Sequence, residues 1–143
     1  MKNMYVLAIL SLLTASGCAS VPVSVDLAKS ASGTDAILFQ KKTSEADAHL
    51  IVIRDKGFVG SACKTKIFVN GDLAGQVSAA HKIEFWLPAS DYLLAVQPAG
   101  ICAGLLVERD VVFKANEEKI FRISMDQNGG LQFGPTMRKN SYN

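Results

Sequence analysis

Histidine is scarce, net charge is small and no apolar run is long. The 143 residues hold two histidines, His49 and His81, 32 positions apart. With no Cys-x-x-Cys or His-x-x-x-His spacing they make no zinc signature, and each reads as a solvated or edge residue. The formal net charge of +2 falls to +1 once Lys2 is set aside, too little to argue for nucleic acid or an acidic partner from bulk charge. Glycines sit in turns between strand-like runs, so no phosphate-cradling loop is present. The apolar run at residues 5–13, broken by Ser11, is well short of the about 20 residues that a spanning helix needs. There is no internal repeat, no low-complexity block and no convincing helix. Arg138-Lys139 is too short a basic run to mark a membrane patch. No metal and no cofactor is expected.

What is present begins with the first eighteen residues, MKNMYVLAILSLLTASGC. Lys2 is the only charge before Cys18, a short apolar run follows, and Ala15, Ser16 and Gly17 are small. A charged start, a short apolar stretch and small residues at the end make a secretory signal rather than a membrane span. With cysteine directly behind it, the segment resembles a bacterial lipobox, Ala15 standing where leucine is commonest. The resemblance implies cleavage before Cys18, diacylglycerol on its thiol and acylation of the new amino group. One acyl chain, at about 0.8 kcal/mol per buried methylene, holds a protein only marginally, whereas two or more hold it stably. Ala19 stands where an aspartate favours inner-membrane retention in enteric-type bacteria, which implies the cell outer membrane, with the domain facing the periplasm. The alternative is an ordinary cleaved signal with an incidental Cys18.

Removing residues 1–17 from 143 leaves 126, the size of one domain, long enough to bury its own core. At 49% hydrophobic and 20% charged residues, the composition argues against disorder. With Cys18 taken by lipid, Cys63 and Cys102 are an even pair in an oxidising compartment, and a disulfide is their natural reading. Closing a loop of about 40 residues stabilises by about 4 kcal/mol in the chain-entropy model. Two buried free thiols are the alternative.

Residues 19–32 are small and polar and read as a tether. Residues 36–39 are compatible with a short strand or one helical turn. From His49 the pattern is β. Residues 49–54 (HLIVIR) are a β-branched run of strand length, ended by the turn residues Asp55-Lys56-Gly57. Residues 58–64 read as a loop or irregular strand. Residues 66–69 and 73–77 are strands joined by Asn70-Gly71, whose tolerance of positive φ marks a hairpin. Further strands are expected over 82–87, 92–96, 105–113, 119–125 and 131–133, with Gln127-Asn-Gly-Gly130 as a second hairpin-type turn. Short strands with closely spaced turn signals predict an all-β fold, a single small antiparallel β-sandwich or barrel. The expected organisation is a cleaved signal over 1–17, a lipidated N-terminus and flexible tether over 18–35, a sandwich over 36–135, and a polar tail over 136–143.

Three stretches carry a second resemblance. KIFVNGDLAGQV at 66–77, KIEFWLPASDYLLAV at 82–96 and VVFKANEEKIFRISM at 111–125 are similar to PEGA-type domains, which are Ig-like sandwiches, and to related small bacterial lipoproteins. The shared pattern is a strand, Asn/Asp-Gly, a return strand, a Leu-Pro-x-Gly-x-Tyr stretch, and two strands joined by a turn. Ser90 stands where glycine is usual, and Ala115-Asn116 replaces the usual glycine turn. The resemblance covers half of the mature chain or a little less. It implies a non-enzymatic surface or envelope module.

Chemistry-bearing patterns are few. Gly60-Ser61-Ala62-Cys63 lacks the preceding cysteine and following aromatic of a papain-type nucleophile, and a disulfide removes its thiolate. His49 and His81 are not placed by sequence beside it. The mixed-sign clusters Arg54-Asp55-Lys56 and Glu108-Arg109-Asp110 read as solvated faces or the rim of a binding patch. Phe85 and Trp86 point to opposite strand faces. Trp86 is therefore the candidate contact surface if exposed, and an ordinary core residue if not. The expected function is a lipid-anchored, non-enzymatic binding or structural module of the envelope, meeting an envelope protein or polymer. A modulator or blocker of an outer-membrane receptor or porin, of the phage or plasmid exclusion type, is the alternative; an envelope enzyme using Cys63 is a third. A free strand edge would offer a route to a homodimer.

Overall fold

The computed structural model describes residues 20–31, 33–57, 60–102 and 104–138. Residues 1–19, which include the expected signal and Cys18, and residues 139–143 of the expected tail lie outside the described residues. Among them the chain forms strands β1 (Lys29–Ser30), β2 (Ala48–Arg54), β3 (Thr65–Val69), β4 (Asp72–Val77), β5 (His81–Leu87), β6 (Asp91–Pro98), β7 (Val107–Val112), β8 (Glu118–Met125) and β9 (Leu131–Thr136), with a 3-10 turn at Gly33–Asp35. A five-stranded sheet, ordered β1-β5-β2-β8-β9, faces a four-stranded sheet, ordered β4-β3-β6-β7. The fold is an all-β sandwich. No helix among the described residues is long and apolar enough to cross a membrane.

The core follows from alternation along each strand. Leu50 and Val52 of β2, Ile83, Phe85 and Leu87 of β5, and Phe121 and Ile123 of β8 meet Ile67 and Val69 of β3 and Leu94 and Val96 of β6 between the sheets. Asn70 and Gly71 take φ of 51° and 88°, the double positive φ of a type I′ hairpin between β3 and β4. The sandwich is antiparallel in five of its described pairings. The expectation of an antiparallel sandwich needs one correction, because β2 runs parallel to β8 and β1 parallel to β5.

The larger correction concerns the tether. Residues 20–28 are docked on the outer face of the five-stranded sheet, and Lys29–Ser30 join its edge as β1. Val21 N donates to Lys56 O at 2.7 Å, and Lys56 N returns to Val21 O at 3.2 Å. Val23, Val25 and Ala28 then pack on Ile51, Ile53 and Ile120 in a second apolar cluster. The reason lies in β2, whose apolar run leaves Ile51 and Ile53 pointing away from the main core. Their burial needs a cover. The next residues bridge the two sheets: Ile37 N and Leu38 N both donate to Ala74 O of β4, and Phe39 O accepts from Trp86 N of β5 at 2.7 Å. A Cβ at Gly75 would lie 2.5 Å from Ile83 Cδ1 and 2.7 Å from Asp35 O, so glycine is required where this segment crosses. At the other terminus β9 extends through Thr136, and Arg138 pairs with Glu118 at 2.6 Å, so the polar tail begins later than residue 136.

If residues 20–31 belong to the domain, Val25→Ala removes two buried methyl groups and lowers the unfolding free energy by about 2 kcal/mol. Urea denaturation checks this. An unchanged midpoint would return the segment to a tether.

Candidate functional site

The outer face of the five-stranded sheet divides into two halves. The half nearest Lys56 lies under the docked N-terminal segment. The other half carries a polar platform built by cross-strand register. His49 of β2 stands opposite Trp86 of β5 and Glu118 of β8, and two-residue alternation puts Glu84 and Lys82 on the same face as Trp86. Cross-strand neighbours on one face are close enough to interact directly.

The resulting geometry is tight. The His49 and Trp86 rings stack with centroids 4.1 Å apart and planes 6° from parallel. Lys42 Nζ lies over the same indole, 4.9 Å from its centroid. His49 Nδ1 is 3.1 Å from Glu118 Oε2 and its Nε2 is 3.0 Å from Glu84 Oε2. A neutral imidazole has a proton on one nitrogen only, so both contacts are donations only in the doubly protonated ring. Lys82 meets Glu84 at 3.1 Å, and Arg138 reaches both Glu118 and Asp26.

The carboxylates respond to this company. Partial burial works against ionisation of Glu84, but the bonds and charges of Lys82 and His49 outweigh it, and the carboxyl is held below its ordinary 4.5. Glu118 is held below the same value, chiefly by its hydrogen bond from Arg138, against some burial and with help from His49.

Trp86 is thus half-buried in a mixed-charge surface stack, while Phe85 is fully buried in the core. His49, read from sequence as a solvated or edge residue, is instead the hub of the platform. No local pattern marks it, because its partners Glu84 and Glu118 are 35 and 69 residues away. His81 is elsewhere, its Nδ1 2.8 Å from Ala79 O. Among the described residues no group of three or more His, Cys, Asp or Glu is disposed to hold a metal. The platform can bind and orient polar or charged groups.

Cys63 and Cys102 form a disulfide, their Cα atoms 6.0 Å apart, so Cys63 offers no thiolate. Beside it, the cluster Arg54-Asp55-Lys56 departs from a solvated face: Arg54 and Asp55 are 3% and 5% exposed. Arg54 donates to Cys63 O, to Gly60 O at 2.5 Å and to Val77 O at 3.3 Å, which satisfies a buried cation with carbonyls. Asp55 accepts from Arg122 and, at 3.1 Å, from Val23 N. Burial nevertheless pushes the Asp55 carboxyl up from its ordinary value. Only Lys56 of the three is exposed, and Glu108, Arg109 and Asp110 lie along the exposed edge strand β7.

Between the edge strands β7 and β9 runs an open groove of about 660 Å³, bordered by Val111, Ile120, Phe121, Pro135 and Arg138. Charged residues on β7 and a proline on β9 are the usual means of blunting an open edge. No protein-family model and no curated protein matches this chain.

The lowered Glu118 has a definite pH consequence. Its stabilising contribution is complete above the ordinary 4.5 and is lost as the pH falls through the lower folded value. The urea midpoints of wild type and Glu118→Gln will therefore converge on acidification from neutral pH to below 4.5. A gap that stays constant over that range would refute the assignment.

Proposed function

We propose that the chain is a lipid-anchored, non-enzymatic binding or structural module of the bacterial envelope. Cys18 carries the lipid and the sandwich meets a protein or polymer of the envelope, in the outer membrane and on its periplasmic side. The observation that carries the reading is the fate of the cysteines. Cys63 and Cys102 are joined to each other, as suits an oxidising compartment, and Cys18, behind a signal-like segment, is left for acylation. The similarity of residues 66–125 to PEGA-type domains agrees with a sandwich whose work is contact rather than catalysis. Trp86 and His49, with Lys42 and the flanking carboxylates, offer a polar contact surface for such a partner.

A receptor- or porin-blocking lipoprotein would be favoured by an apolar edge around Trp86. The described surroundings of Trp86 are a histidine, a lysine and carboxylates, so the envelope module is the reading we adopt. An enzyme using Cys63 would need the disulfide opened.

Intact-mass spectrometry of the protein purified from native membranes tests this reading. The expected mass lacks residues 1–17 and includes added acyl chains, with Cys63 and Cys102 alkylated only after reduction. An unacylated mass, or a freely alkylated Cys63, would overturn it.

A further inference from the structure

The docked N-terminal segment fixes more than the edge of the domain. Ser20 lies against Gly57, since a Cβ there would be 3.1 Å from Ser20 Cα, and Val21 is hydrogen-bonded to Lys56. Only two residue steps separate Ser20 from Cys18, a reach of about 7 Å at full extension. Whatever holds Cys18 therefore holds the Lys56 end of the sandwich against itself.

The pairings show what else lies at that end. Ile53, one residue before Arg54 on β2, is opposite Lys82 near the start of β5, and Arg54 is opposite Ile123 near the end of β8. Arg54 pins Gly60 and Cys63, and the disulfide joins Cys63 to Cys102. Pro98 at the end of β6 is opposite Thr65 at the start of β3, and Val107 at the start of β7 is opposite Val96. The described part of the β6–β7 connection, 99–102 and 104–106, is consequently at the Lys56 end. Its side chains Ile101 and Leu105 are 97% and 87% exposed, and Leu106 is exposed as well. Two large aliphatic side chains standing almost wholly in solvent on one disulfide-held loop would gain by transfer to an apolar phase. Of the acidic groups at this end, Asp55 is engaged by Arg122 and Val23 N and Asp126 by the N–H groups of Asn128 and Gly130, while Glu108, two residues past Leu106, is exposed. Lys56 is exposed beside the entering chain.

We infer that Ile101 and Leu105, between β6 and β7, form a membrane-contact element, dipping into the apolar part of the bilayer that holds the lipid on Cys18. The proposal rests on the lipid-anchored reading and adds an orientation to it. The anchor and the loop form two points of attachment at one end of the sandwich, the loop on the four-stranded sheet and the anchor outside the five-stranded one. The Trp86 platform then faces away from the membrane, because Trp86 is five residues along β5 from His81 at the anchored end, about 17 Å.

The test uses the full-length acylated protein, reconstituted in phosphatidylethanolamine–phosphatidylglycerol vesicles with and without bromine on the acyl chains. Trp86 is the sole tryptophan and serves as the internal control. Ile101→Trp and, separately, Leu105→Trp are expected to lose fluorescence in brominated vesicles, while wild type keeps its emission. Both sites are exposed, so neither change disturbs packing, and either variant alone suffices. An acyl mass on Cys18 with emission indifferent to bromine in both variants overturns the proposal and leaves the anchor standing. Quenching of Trp86 in wild type overturns it too, by reversing the orientation. A dimer that Ile101→Ser converts to monomer, with no bromine effect, shows that the loop meets a second copy and also overturns it. Absence of the acyl mass defeats the lipid-anchored reading itself, independently of the fluorescence.

Discussion

Strand β2 is buried on both faces, and the rest of the molecule is arranged to satisfy it. Leu50 and Val52 enter the space between the sheets, while Ile51 and Ile53 point the other way and are equally sequestered. At roughly 1.5–3 kcal/mol for each fully buried aliphatic side chain, leaving that outer pair in water would cost a sizeable share of a domain's marginal stability. The cover is the chain's own N-terminal segment. Val23 and Val25 supply the apolar contact, and the reciprocal bonds between Val21 and Lys56 fix its entry. A stretch that composition assigns to a tether is thereby part of the fold.

The same constraint explains the buried charge at the end of β2. The strand keeps β5 to Ile53 and β8 to Arg54, its last residue, so Arg54 and the following Asp55 are drawn out of water with it. A buried charge is tolerable only when its hydrogen-bonding capacity is met. Arg54 meets it with carbonyls of the segment that leads to Cys63, and Asp55 with Arg122 and the amide of Val23. These contacts tie the N-terminal segment, the central strand and the disulfide into one end of the sandwich. The opposite end and outer face are left to the His49–Trp86 platform.

Strands and tight turns were legible because their signals are local. Asn70-Gly71 marks its hairpin by residue type alone, and alternation through Ile83, Phe85 and Leu87 separates the core face of β5 from Trp86. The pairing of Cys63 with Cys102 was legible from their parity once Cys18 is set aside. What was not legible depends on contacts distant in sequence. An apolar run such as Leu50-Ile-Val-Ile53 suits a parallel or an antiparallel neighbour, so its parallel partner β8 could not be read from it. The burial of Arg54 and Asp55 follows from their place on a central strand and not from their own pattern. The platform at His49 is assembled from β2, β5 and β8, and no spacing within any of them announces it. One signal was available and weak: Val21, Val23 and Val25 alternate with Pro22 and Ser24, the period of an extended segment with one face to hide.

The closure of the outer face of β2 depends on residues 20–31 being structural. Amide hydrogen exchange followed at Lys29 and Ala31, whose N–H groups bond to Ala80 O and Lys82 O, and at Val21 measures this most directly. If the segment closes the outer face of β2, these amides exchange slowly, at rates within reach of those of the central strands, because they open only with substantial loss of the fold. Exchange at the rate of an unstructured chain, with β2 and β5 still protected, would show a free tether and contradict it.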